Sequence, residues 1–159
     1  MTEKTEVGLS FIKLNKVFLE NQFDIIHSNV IHGAGVIGYL ISKEKNIPLI
    51  HTEHSSKARI YLRKGFNKSI ARKTFVNAEK ITVVSSFLKT QLEEFIEEKN
   101  KMIVVPNVVN DVYHYKKIEK SEDKLIFTAV ATWQRPKQPE LFMKALNEIS
   151  AGKKIELNI

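Results

Sequence analysis

Cysteine is absent from this sequence, and its absence excludes disulfides, zinc-thiolate sites and thiol nucleophiles together. No apolar stretch approaches the roughly 20 residues that a membrane-spanning helix needs, and the N-terminal MTEKTEVGLS has no signal-peptide core. There are no internal repeats and no low-complexity tracts. With 43% hydrophobic and 27% charged residues, the chain has the composition of an ordinary globular protein, for which we expect a cytoplasmic location.

Acidic residues are missing from one stretch of the chain. Seven basic residues occur between Lys57 and Ala78 with no acidic residue among them, which matches the whole net charge of +7. They are Lys57, Arg59, Arg63, Lys64, Lys68, Arg72 and Lys73. An anionic membrane surface, a phosphorylated substrate or nucleic acid could each explain such a segment, and so could a solvated helix face. Nucleic acid is the weakest of these explanations, because the aromatic residues of RNA-binding modules are sparse here.

Strands and helices alternate along the chain. Hydrophobic periodicity predicts helices over residues 8–21, 33–45, 57–64, 67–78, 86–98 and 139–150, and strands over 24–28, 48–52, 80–84, 102–105, 125–131 and 154–159. This alternation predicts right-handed βαβ units, and therefore an α/β fold with a parallel sheet flanked by helices. The first strand, DIIHS, has no strand before it and is a candidate exposed edge. Residues 111–123 are polar without a period and suit a linker.

Polar side chains follow the strands, and ligands of open α/β sheets bind beyond the carboxyl ends of the strands. Before residue 111 they include Asn29, His32, Glu53, His54, Ser85 and Asn107, of which His32, His54, Ser85 and Asn107 are the candidate site residues. His54 is a candidate proton handler or donor to substrate hydroxyls, although it could merely close a strand. Ser85 is expected to cap the following helix, whose backbone N–H groups could also bind an anion.

A metal site is not expected, although four of the five histidines lie near the first two strand ends. The spacing His51-x-Glu53-His54 differs from the helical HExxH pattern. Alternation along a strand would also send His51 and His54 to opposite faces.

Two basic residues, Arg135 and Lys137, lie between the predicted strand over 125–131 and the predicted helix over 139–150. The helix dipole favours negative charge there, and one Lys beside a phosphate contributes at most a few kcal/mol at an effective dielectric near ~20. The pair suits the diphosphate of a nucleotide. There is no GxxxxGK[ST] phosphate loop. The phrase GAGVIG has the GxGxxG spacing of a glycine fingerprint, but its small residues are expected instead to let the helix pack close to the sheet.

Five phrases in order carry a resemblance to a known family. DIIHS, IPLIHTEH, ITVVSSFLK, IVVPNVVND and KLIFTAVATWQRPKQPELFMKAL resemble glycosyltransferases of the GT-B fold, specifically the retaining family 4. The resemblance implies Rossmann-like domains: residues 1–110 as the C-terminal part of the acceptor-side domain, 111–123 as linker, and 124–159 as the first βαβ unit of the nucleotide-sugar domain. It implies transfer of a hexose to a lipid, polysaccharide or small-molecule acceptor with retention, no required metal and no cofactor beyond the nucleotide-sugar donor.

The resemblance also assigns residues. His54 matches the histidine that contacts the donor sugar, Lys137 matches the lysine that binds the donor diphosphate, and Asn107 matches the interdomain crossover. His32 and Ser85 remain candidate substrate contacts. The basic segment falls in an acceptor-side region that meets anionic membranes in some relatives, which makes a peripheral membrane location an expectation. Its candidate surface residues are Arg59, Arg63, Lys64 and Lys68, with apolar residues interleaved.

The sequence departs from the family pattern in the donor half. The arginine usually found about five residues before the lysine is absent, which leaves Arg135 as its candidate substitute, and Val108 stands where the family has glycine. The family's glycine-rich first loop and its pair of glutamates are missing, so we expect a fragment that is inactive by itself. Two other functions stay open: a non-catalytic α/β module that binds an anionic membrane or nucleic acid through residues 57–73, and a GT-B nucleotide-sugar epimerase relative.

Overall fold

The computed structural model describes residues 3–63, 67–117, 124–134, 137–150 and 154–158. The chain divides into two compact units, Met1–Val109 and Asn110–Ile159. The first unit contains a four-stranded parallel sheet in the order β1-β2-β3-β4. Its elements are α1 (Glu3–Glu20), β1 (Ile26–Asn29), α2 (Val36–Lys45), β2 (Leu49–Glu53), α3 (Ala58–Arg63), α4 (Asn67–Asn77), β3 (Lys80–Val83), α5 (Ser86–Glu93) and β4 (Met102–Val104). The predicted α/β fold with a parallel sheet is confirmed.

The core of the first unit lies on one face of the sheet. A sequential strand order with crossovers of one hand places the connecting helices on the same face. Leu62 of α3, Phe75 of α4 and Leu92 of α5 are fully buried in one cluster with Ile81 of β3. The strands alternate accordingly: one residue in two is buried, while the intervening positions are half-buried or exposed. Within the described sheet, β1 is an edge strand.

The second unit is smaller. The strands β5 (Leu125–Thr128) and β6 (Ile155–Asn158) pair in parallel, and α6 (Pro139–Ile149) lies between them in the chain. Pro139 occupies the first turn of α6, where its missing N–H removes no helical hydrogen bond. Leu146 is buried, but Leu125 and Ile126 are about half exposed, because this small unit covers its strands incompletely.

Four element boundaries differ from the predictions by three residues or more. The helix predicted over 8–21 begins five residues earlier, at Glu3. The helix predicted from residue 33 begins at Val36, because Val30 and Gly33 have positive φ and form an irregular turn over 31–35. The helix predicted to reach residue 98 ends at Glu93, where the Phe95 N–H already donates to the Leu92 carbonyl, three residues back. The strand predicted over 125–131 ends at Thr128, near the end of its described partner strand.

Small residues do let α2 pack close to the sheet, as the sequence predicts. A Cβ added at Gly38 would lie 2.9 Å from Ser28 Cβ, and one added at Gly35 would lie 3.0 Å from His51 Cε1. Both distances are shorter than ordinary van der Waals contact. The glycines therefore bring the start of α2 against β1 and β2, directly behind the carboxyl ends of these strands.

Candidate active site at the carboxyl edge of the sheet

The loop after β1 is strained and tied to its neighbours. Val30 has φ 66° and ψ 128°, a conformation that costs a β-branched residue on the order of 1–3 kcal/mol. Its N–H donates to the Thr52 carbonyl at 2.9 Å, and its carbonyl accepts the Gly35 N–H at 3.0 Å. This loop presents His32 at the surface, with its ring 4.7 Å from the ring of Tyr61 in α3. Strain of this kind is concentrated at functional sites.

Glu53 is the residue that joins the loops at this edge. It ends β2 and is 0% exposed, and each of its carboxylate oxygens accepts a backbone N–H. One oxygen accepts the N–H of Ile31 at 2.9 Å, and the other accepts the N–H of Ser55 at 2.7 Å. Burial raises the pKa of Glu53, but the adjacent His51 and the N–H groups of Ser55 and Ile31 together lower it by more than burial raises it. The pKa therefore lies below its usual value. Glu53 is therefore a buried carboxylate that stays ionised at neutral pH.

His51 is a packed core residue. Its Nδ1 lies 2.9 Å from Ser28 Oγ, and its ring packs edge-on against Phe75, with ring centroids 5.0 Å apart. Its Nε2 lies 3.6 Å from Glu53 Oε2, which is an electrostatic contact too long for a hydrogen bond. His54, in contrast, is exposed, so the two histidines have different environments. Within the described residues, no group of three or more His, Cys, Asp or Glu side chains could hold a metal ion.

The other two candidates after the strands have different environments. Ser85 is the N-cap of α5, and its hydroxyl oxygen accepts the Leu88 N–H at 3.2 Å, which confirms the structural role predicted for it. Asn107 is exposed beyond β4. The structure thus brings His32, Tyr61 and the Glu53–Ser55 turn together around α3, and it uses Ser85 to begin a helix.

A row of polar side chains crosses the less covered face of the sheet. Thr52 Oγ1 lies 2.7 Å from His27 Nε2 and 2.6 Å from Thr82 Oγ1. The row forms because Thr52 and Thr82 are directly paired in the register of β2 and β3. Neither this row nor Glu53 is among the predicted site residues. The row depends on strand register, and the role of Glu53 depends on its contact with the Ile31 amide, 22 residues back in the chain, neither of which the sequence alone reveals.

The basic segment is less uniformly positive than its sequence. Glu94, at the end of α5, accepts hydrogen bonds from Arg59 at 2.9 Å and from Arg63 at 3.0 Å. The Arg59 contact is the largest influence and lowers the pKa of the Glu94 carboxyl; burial opposes it, and the Arg63 contact lowers the pKa as well, so that the pKa lies below its usual value. Lys68 is exposed, and Lys64 lies outside the described residues. An acidic partner distant in sequence therefore offsets part of the charge on this surface.

The second unit carries its own small pocket. The pocket has a volume of about 250 Å³, and Lys137 and Trp133 line it together with Thr132 and Phe142. Lys137 is exposed two residues before α6, and its N–H donates to the Gln134 carbonyl at 2.8 Å. Arg135 lies outside the described residues. The pocket thus combines a cation, a helix N-terminus and an aromatic side chain.

Comparison with known proteins assigns the chain to a family. The sequence model of Glycosyltransferase Family 4 matches residues 6–112, a range that contains the whole four-stranded sheet and its carboxyl edge. The chain belongs to Glycosyltransferase Family 4. The resemblance to family 4 is thereby confirmed over residues 6–112, which contain four of the five phrases.

Two curated relatives of this Family 4 chain illustrate the match. The uncharacterized glycosyltransferase MJ1178 of Methanocaldococcus jannaschii is 33% identical over 108 residues, which cover 65% of this chain and 30% of the relative. The alpha-monoglucosyldiacylglycerol synthase of Streptococcus pneumoniae is 26% identical over 156 residues, which cover 94% of this chain and 32% of the relative. The chain thus spans about a third of the length of these relatives. No helix among the described residues is long and apolar enough to cross a membrane.

Proposed function

We propose that this protein transfers a sugar from a nucleotide-diphosphate sugar to an acceptor hydroxyl, with retention at the anomeric carbon. The observation that carries the proposal is the Family 4 match over residues 6–112. In the reaction, the bond between the anomeric carbon and the diphosphate oxygen breaks, and its electron pair leaves with the nucleoside diphosphate. The acceptor oxygen forms the new glycosidic bond and gives up its proton.

Lys137 is the proposed cation for the leaving diphosphate. Its exposed ammonium and the N-terminus of α6 both favour negative charge, which increases on the diphosphate as the glycosidic bond breaks. The neighbouring pocket of about 250 Å³ provides apolar surface beside this cation. Arg135 is the proposed second donor, because a guanidinium can bind phosphate oxygens in a bidentate manner.

His54 and His32 are the proposed substrate-contacting groups of the first unit. Both follow strands of the parallel sheet at its carboxyl edge, where ligands of α/β sheets bind. An exposed imidazole can donate a hydrogen bond to a sugar hydroxyl or accept the proton of an acceptor hydroxyl. We assign His54 to the donor sugar and His32, with Asn107, to substrate contact.

A membrane lipid is the proposed acceptor. The pneumococcal relative is named as a synthase of a glucosyl diacylglycerol, and its alignment covers 94% of this chain. On this chain, Ile60 of α3 is 62% exposed and lies between Arg59 and Arg63. Apolar and basic side chains on one surface helix favour the interface of an anionic membrane. We therefore propose that this surface brings the protein to its acceptor.

Nucleotide binding by the full-length protein tests this assignment. We expect UDP, ADP or GDP to raise the thermal stability of the protein, by about 2.7 kcal/mol when the nucleotide is present at ~100 times its Kd. Lys137→Ala should abolish the shift, whereas replacement of Lys144, an exposed lysine within helix α6, by alanine should leave it unchanged. A wild-type protein that none of these nucleotides stabilises, or a Lys137→Ala variant with the full shift, would contradict the proposal.

A further inference from the structure

We propose that Glu53 is a positioning residue that holds the two histidine-bearing loops of the candidate active site in a fixed relation. One carboxylate oxygen accepts the N–H of Ile31, and the other accepts the N–H of Ser55. Ile31 directly precedes His32, and Ser55 directly follows His54. Each tethered amide is thus the immediate neighbour of one histidine. The catalytic part of this inference rests on sugar transfer as the proposed function.

The chemistry of the tether requires a carboxylate. An ionised carboxylate is an acceptor at both oxygens, and a hydrogen bond to a charged acceptor is about twice as strong as a neutral one. A glutamine in the same place would offer one acceptor oxygen and one NH₂ group, and the NH₂ group would face one of the two N–H donors. Glutamine can therefore accept a hydrogen bond from only one of the two loop amides at a time.

The burial of Glu53 also indicates a specific role. A charged side chain at 0% exposure carries a desolvation cost that an apolar side chain of similar volume would avoid. The two N–H bonds, at 2.9 and 2.7 Å, and the His51 ring at 3.6 Å offset this cost. The site thus contains a carboxylate that is costly to bury, and this carboxylate contacts mainly the two loops.

The loop after β1 needs such a restraint. Val30 holds a positive φ that is unfavourable for a β-branched residue, and the next amide, that of Ile31, is the one that Glu53 binds. When this bond is removed, the loop can relax and His32 moves with it. A displacement of ~1 Å at a reacting group can lower a rate by about a hundredfold.

The experiment compares Glu53→Gln and Glu53→Asp with the wild-type full-length protein. Amide hydrogen exchange of Ile31 and Ser55 reports the tether without any substrate, and kcat and KM for the nucleotide sugar report its catalytic effect. We expect Glu53→Gln to speed exchange of at least one of the two amides about tenfold or more, and to lower kcat by about ten- to a hundredfold. Glu53→Asp keeps both acceptor oxygens at a shorter reach, and we expect it to restore part of both losses.

Glu79→Gln is the matched control, because Glu79 is an exposed glutamate just before β3. It should change neither amide exchange nor kcat. A Glu53→Gln variant with unchanged amide exchange overturns the proposal, whether kcat falls or not.

Two further outcomes are decided by the wild-type protein. If Ile31 and Ser55 exchange in the wild-type protein as fast as the 94% exposed Val108, the tether does not exist and the proposal fails. In the case that the Glu53→Gln variant does not fold, this comparison in the wild-type protein still tests whether the tether exists. If the wild-type protein transfers no sugar, the proposed function fails, while the amide measurement still tests the positioning role independently.

Discussion

At the scale of single residues, Gly38 shows how close packing can require a glycine at one position. A Cβ at this position would lie 2.9 Å from Ser28 Cβ and 3.3 Å from Leu49 Cδ1, so α2 would have to move away from the sheet. Overpacking of this kind costs about 1–3 kcal/mol, while replacing glycine in a helix gains about 1 kcal/mol. The packing cost is the larger effect.

We therefore predict that Gly38→Ala lowers the free energy of unfolding by about 1 kcal/mol in denaturant titrations. Gly8→Ala in α1 is the matched control, because a Cβ there meets nothing within 4 Å. The control should raise the free energy of unfolding by about 0.5–1 kcal/mol. Equal changes for both variants would contradict this reading of α2.

The lowered pKa of Glu53 predicts that the free energy of unfolding depends on pH with a definite sign. Its folded pKa lies below the unfolded value, so the ionised carboxylate stabilises the folded state above pH ~4.5, and this contribution is lost as the pH falls through the folded pKa. At pH 7 we predict that Glu53→Gln lowers the free energy of unfolding by about 1–3 kcal/mol, since one buried N–H loses its acceptor. The difference between wild type and variant should shrink as the pH is lowered below ~4.5. A difference that is constant from pH 7 to pH 3 would show that the charge has no part in it.

At the scale of elements, α5 depends on its cap. The Ser85 hydroxyl oxygen accepts the Leu88 N–H at the start of an eight-residue helix that buries Leu88 and Leu92. We predict that Ser85→Ala lowers the free energy of unfolding by about 1 kcal/mol without changing nucleotide affinity. Ser86→Ala, one residue later and exposed, should change the free energy of unfolding by less than about 0.5 kcal/mol. Loss of nucleotide affinity in Ser85→Ala would instead favour the anion-binding role.

The elements also show what the sequence could predict. The parallel strands follow from their apolar runs, and the Ser85 cap and the close glycines of α2 follow from local chemistry. The contact of Glu53 with Ile31 and those of Glu94 with Arg59 and Arg63 do not, because these partners lie 22, 35 and 31 residues away in the chain. The sequence does not predict the turn over 31–35 either. This turn depends on the strained backbone of Val30, which hydrogen bonds to Thr52 and Gly35 hold in place.

At the scale of the whole molecule, the proposed membrane location predicts that binding to anionic vesicles depends on particular basic residues. Each basic side chain near an anionic bilayer contributes about 1 kcal/mol, so a Lys68→Gln and Arg72→Gln double variant should bind anionic vesicles roughly thirtyfold more weakly. Lys16→Gln with Lys43→Gln, both exposed on other helices, is the charge-matched control and should bind nearly as wild type. Neutralising Glu94, which pairs with Arg59 and Arg63, should strengthen binding. Equal losses in both double variants would indicate general charge attraction in place of a docking surface.

Membership in Glycosyltransferase Family 4 makes sugar transfer the central claim, and product analysis tests it most directly. The full-length protein is incubated with UDP-, ADP- or GDP-glucose and vesicles that contain diacylglycerol and anionic lipid. The account predicts a glucosylated lipid whose anomeric configuration, read by NMR, is that of the donor, and its loss in Lys137→Ala but not in Lys144→Ala. A product of inverted configuration would contradict the proposed retention. No transfer from any of these donors, with either this lipid acceptor or water, would contradict the central claim.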